Sequence, residues 1–106
     1  MKNIEQIIAY DNQIQIMPNF SNCTKLKHVN LSSNEIVFNK NFYSLKNVEE
    51  LKLFENLIDK LNWATSLKRL TYLNIGNNPI KCDEINAETK KLILNGVIQI
   101  DCSAEH

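Results

Sequence analysis

The sequence predicts an α/β fold built on a parallel sheet, and three observations predict it. Asn12, Asn34, Asn56 and Asn78 recur at a fixed step of 22 residues. Each stands at the same place in one apolar frame, L-x-x-L-x-L-x-x-N-x-L, with Ile, Val or Ala admitted at the apolar places. The middle of each frame, such as Val29-Asn30-Leu31, alternates apolar and polar, which is the period of a half-buried strand. Stacking such strands at a constant step makes a parallel sheet, and parallel neighbours require a crossover between them.

The first copy of the frame is Ile4, Ile7, Ala9, Asn12 and Ile14, with its strand expected from Asn3 to Tyr10. Leu26, Val29, Leu31, Asn34 and Ile36 make the second. Val48, Leu51, Leu53, Asn56 and Ile58 make the third, and Leu70, Leu73, Ile75, Asn78 and Ile80 the fourth. The Asn of each copy turns the chain out of its strand. Its amide is expected to satisfy backbone groups in the turn, so the four should form a ladder.

The crossovers carry registers of their own. Phe20, Phe42 and Ala64 share one position, and Cys23, Leu45 and Leu67 another; both should close the core from behind. Ile16, Phe38, Lys60 and Cys82 share a third, apolar in three of the four copies and therefore also expected in the core. Each large apolar side chain contributes about 1.5–3 kcal/mol on burial. Trp63 is expected to pack beneath its crossover.

After Ile80 the frame changes into a C-terminal cap at about 81–102. Asp83 or Asn86 can cap a helix running to about Asn95, with Ile85, Leu92 and Ile93 on one face and Gly96 at its end. Residues 97–101 then read as a last strand. No comparable cap precedes Ile4, so the first strand should show a bare backbone edge.

These residues make the chain resemble the leucine-rich repeat proteins over about residues 4–102: a solenoid of four repeats, starting near 4, 26, 48 and 70, in a single domain covering 1–106. The step of 22 is similar to the short intracellular subclass, of the type of the phosphatase-1 regulatory subunit, the spliceosomal A-prime protein and the axonemal dynein light chain. The Asn78-Pro79-Ile80 ending followed by helix and strand resembles the cap of that subclass. Asn78 to Asp83 is also similar to the start of the cysteine-rich cap of extracellular members. There, position 84 departs from the pattern, being Glu where a second cysteine stands.

The resemblance implies a non-enzymatic protein-interaction module, a scaffold or adaptor. In the frame, Ile8, Tyr10, His28, Asn30, Glu50, Lys52, Phe54, Tyr72 and Asn74 point to the concave face and are the candidate protein-binding residues. Aromatics among charged and amide groups have the composition of a binding hot spot. The alternative reading is a permanent subunit of a larger protein or ribonucleoprotein assembly, docked through the uncapped N-terminal edge.

Twelve basic and twelve acidic residues cancel, which argues against direct binding to nucleic acid. No apolar run reaches the length of a transmembrane helix, and Met1 to Gln6 shows no signal-peptide core. Cytoplasm or nucleus is the expected location. The sequence shows no phosphate loop, nucleophile elbow or metal-ligand spacing, so no catalytic, cofactor or metal residue is expected. Cys23 falls in a core register as a buried thiol. The intracellular reading keeps Cys82 and Cys102 reduced; a disulfide between them is the alternative and would tie down the last turn.

Overall fold

The computed structural model describes residues 3–102. It is a small α/β fold with a five-stranded parallel sheet and one α-helix. The strands are β1 (Gln6–Ile8), β2 (His28–Asn30), β3 (Glu50–Lys52), β4 (Tyr72–Asn74) and β5 (Ile98–Gln99), adjacent in that order. Pairing follows the sequence frame: Ile7 faces Val29, Val29 faces Leu51 and Leu51 faces Leu73. The frame's step therefore sets the sheet register, because any slip would carry these core residues to solvent.

The strands are shorter than the alternating pattern. β1 covers Gln6–Ile8 rather than 3–10, and β5 covers Ile98–Gln99 rather than 97–101. Ladder-like bonds continue past β1, from the Asp11 amide to the Ser32 carbonyl at 2.9 Å. The backbone then turns left-handed at Asp11, Ser33, Glu55 and Asn77, one position before each ladder Asn. For a residue other than glycine this conformation costs about 1–2 kcal/mol. Asp11→Gly relieves that strain but also frees the unfolded chain. The expected net gain is about 0.5 kcal/mol in urea unfolding.

The crossovers contain short 3₁₀ turns at Lys40–Ser44 and Asn62–Ser66. The Asn39 side chain caps the first by accepting from the Asn41 amide. Their inward residues pack the core from behind: Phe42 lies edge-on to Trp63, with centroids 4.8 Å apart. Phe20, Ala64, Cys23, Leu45 and Leu67 are buried in the positions their registers predict, and Cys23 is a free thiol. Trp63 is buried beneath its crossover, its indole N–H donating to the Lys60 carbonyl at 2.6 Å.

Ile16 departs from its register. It is 66% exposed, whereas Phe38 is half-buried against Phe42 at 5.1 Å. Ile16 belongs to the first copy, and among the described residues no earlier turn of chain covers it. Ile4, Ile7, Ala9 and Ile14 are half-buried for the same reason, while Leu26, Val29, Leu31 and Ile36 behind them are fully buried.

Of the two candidate caps, Asp83 and Asn86, it is Asn86 that starts the helix. Cys82–Glu84 forms a 3₁₀ turn, and α1 spans Ala87–Leu94. Asn86 is its N-cap, accepting from the Thr89 amide at 2.9 Å. Ile85 precedes the helix rather than lying on its face. The residue buried deepest on α1 is Thr89, whose hydroxyl donates to the Asn62 amide oxygen at 2.9 Å. Gly96 follows with φ of 81°, the left-handed stop that glycine adopts without penalty. Cys82 and Cys102 are joined by a disulfide, in contrast to the reduced pair expected from an intracellular reading.

Candidate protein-binding face

The face of the sheet away from the core gathers the predicted residues into rows. Gln6, His28, Glu50 and Tyr72 stand side by side across β1 to β4. Ile8, Asn30, Lys52 and Asn74 make the next row. Tyr10 and Phe54 follow just beyond their strands. The rows arise because consecutive strand residues alternate faces and the register keeps like positions abreast.

Ile8 is 59%, Tyr10 56% and Phe54 39% exposed, so three large apolar groups meet solvent on one face. Tyr72, Asn30, Glu50 and Asn74 are half-buried there, and His28 and Lys52 exposed. His28 Nδ1 lies 3.4 Å from Glu50 Oε1, an ion pair when the imidazole is protonated. The first and second rows frame a shallow depression of about 80 Å³ between Ile8, His28, Asn30 and Lys52.

Asn30 and Asn74 repeat one local device. The Asn30 side-chain oxygen accepts the Ser32 amide at 3.1 Å, and that of Asn74 accepts the Gly76 amide at 3.0 Å. Their oxygens hold the turn, so the NH₂ groups are the part left to donate to a ligand. Gly76 has a further role. A Cβ there would come within 3.2 Å of the Phe54 ring, so the ring lies against bare backbone. This settles Phe54 on the face without burying it.

The Asn ladder lies along one margin of this face. Asn34 donates to the Ala9 and Leu31 carbonyls and accepts the Ile14 amide. Asn56 and Asn78 repeat these contacts one strand further on. Among the described residues, Asn12 donates to the Ala9 and Tyr10 carbonyls only.

Sequence reasoning missed a second apolar surface. Ile16, Val37 and Leu57 are all about half or more exposed and line a groove of about 270 Å³ with Gln15 and Glu35. Ile16 and Val37 are bridged in parallel. Val37 and Leu57 fall outside the apolar frame, and only that off-register placement signalled their exposure.

Among the described residues, no group of three or more His, Cys, Asp or Glu is arranged to hold a metal ion, and no helix is long and apolar enough to cross a membrane. Compared with protein-family models and with curated proteins, the chain matches none.

Proposed function

We propose that this chain is a leucine-rich repeat solenoid of four repeats that acts as a non-enzymatic protein-interaction module. Its concave face is the binding surface. The observation that carries the reading is the set of exposed Ile8, Tyr10 and Phe54, flanked by Tyr72, His28, Glu50 and Lys52 on one face of the sheet. Apolar anchors inside a charged and amide rim are how protein interfaces combine affinity with orientation. Net neutrality favours a protein partner over a nucleic acid.

The test is the double variant Phe54→Ala with Tyr72→Ala. Partners captured by the wild-type chain from its native lysate are identified, and the affinity of one is then measured by calorimetry. The expected result is about tenfold or greater loss of affinity with the thermal midpoint nearly unchanged. Unaltered affinity would remove the face from consideration, and a collapse in stability would place the two rings in the core.

A second reading is a permanent subunit docked through the N-terminal edge. It is favoured by the half-buried Ile4, Ile7, Ala9 and Ile14 at that end. The two readings differ in stoichiometry: a permanent subunit co-purifies in fixed ratio through high salt and nuclease. The intracellular location is proposed from the subclass resemblance, but the Cys82–Cys102 bond fits an oxidising compartment better. Counting free thiols in the denatured, unreduced protein decides between them: three exclude the bond and one, Cys23, supports it.

A further inference from the structure

We infer that the N-terminal edge of the sheet is a dimer interface, with β1 pairing antiparallel to β1 of a second copy about a two-fold axis at Ile7. This takes the open edge of the second reading above and names its occupant.

The first argument is the phase of the edge. Glu5 accepts from the Lys27 and His28 amides, and the Ala9 amide donates to Asn30. In a parallel ladder bonding residues alternate, so Ile7 between them bonds to β2. Gln6 and Ile8 therefore turn their N–H and C=O groups outward. An antiparallel neighbour centred on Ile7 matches this phase. Gln6 of each copy then exchanges N–H···O=C bonds with Ile8 of the other. Ile7 faces its own symmetry mate in the non-hydrogen-bonded pair, where side chains approach most closely. Ile7, half-buried in the single chain, is covered at the axis.

The second argument is charge. Segments 10–16, 32–38 and 54–60, where the chain leaves β1, β2 and β3, carry Asp11, Glu35, Glu55 and Asp59 against the single base Lys60. At the opposite rim, where the strands begin, Lys25, Lys27 and Lys46 outnumber Glu5 and Glu49. A two-fold axis at Ile7 sets the basic rim of each copy against the acidic rim of the other. Lys27 comes toward Asp11 of the second copy, and this happens twice. Glu5 falls opposite Ala9 and diagonal to Asp11 of the second copy, and Lys27 beside it on the next strand offsets that like pair.

The apolar end face gives the pairing its driving force. Ile4, Ile7, Ala9 and Ile14 lie directly behind the edge, and a second copy brings the same set to meet them. An isologous contact of this kind closes on itself.

The test is the mass of the purified full chain by sedimentation equilibrium over a range of concentrations and salt. The expected result is a concentration-dependent dimer, weakened as salt rises. Ile8→Pro removes an outward N–H while sparing the bonds to β2, as edge strands tolerate. It should weaken dimerisation about tenfold or more with the circular dichroism unchanged. Lys27→Glu, on the exposed rim, should weaken it at low salt and flatten the salt dependence, and this holds even if the proline variant fails to fold. A monomer at every concentration up to about 1 mM overturns the inference while leaving a heteromeric subunit to the co-purification test. A dimer equally strong in folded Ile8→Pro, or in Lys27→Glu at low salt, also overturns it.

Discussion

Asn56→Ala is expected to lower stability by about 3 kcal/mol, whereas Asn12→Ala costs less than about 1 kcal/mol. The same residue in the same sequence frame has different consequences because its neighbours differ. Asn56 is 5% exposed. Its oxygen accepts the Ile36 amide at 3.0 Å, the one acceptor of that buried N–H among the described residues. Its NH₂ donates to the Leu31 carbonyl at 3.0 Å and the Leu53 carbonyl at 3.2 Å. Those carbonyls have second donors, since Asn34 also reaches Leu31 and Asn78 also reaches Leu53. The alanine variant thus orphans one buried amide outright and takes one bond from each of two carbonyls. An unsatisfied buried group costs about 1–3 kcal/mol, and each lost bond roughly a further 1. Asn12 is exposed and, among the described residues, holds two carbonyls but no amide of another turn. The pair of variants is compared by thermal unfolding. For a domain of this size the Asn56 variant should melt more than about 10 °C lower. Equal shifts in the two variants would mean that the ladder contributes through the local turn alone.

That contrast shows what the sequence reveals and what it conceals. The step of 22 residues settled which residues face each other, so β1 to β4 pair as the frame predicts. It also settled which face each strand residue takes, since faces alternate strictly. Burial was less legible because it depends on what lies on both sides. Ile16 and Phe38 share a register, yet only Phe38 has neighbours enough to be half-buried. The candidate face was legible as a list of side chains but not as an arrangement. That Phe54 rests on Gly76, or that His28 meets Glu50, depends on rotamers and close approaches that no periodicity encodes. Thr89 was missed because a threonine amid lysines carries no core signal; its hydrogen bond to Asn62 makes the burial tolerable.

Removing the Cys82–Cys102 disulfide, by reduction or by serine at both positions, is expected to cost about 3 kcal/mol. The bond closes a loop across a sequence separation of 20 residues, and a cross-link of that span restricts the unfolded chain by about that amount. The loss should also be local. The loop contains the whole of α1 and β5, and β5 is held to β4 by few bonds. Among them are the Leu73 amide to Val97 at 2.8 Å and the Ile75 amide to Gln99 at 3.0 Å. With the cross-link gone, the cap can leave the sheet without the rest unfolding. Hydrogen exchange should then accelerate first at Leu73 and Ile75. The Leu31 amide, bonded to Lys52 two strands from the cap, should keep its protection. If all these amides accelerate together, the cap and sheet form one cooperative unit, and the disulfide stabilises the whole rather than its end. If none does and the melting point holds, the packing of Ile85, Thr89 and Ile98 against the core is sufficient to retain the cap. The bond would then report the redox state of the protein's surroundings more than it supports the fold.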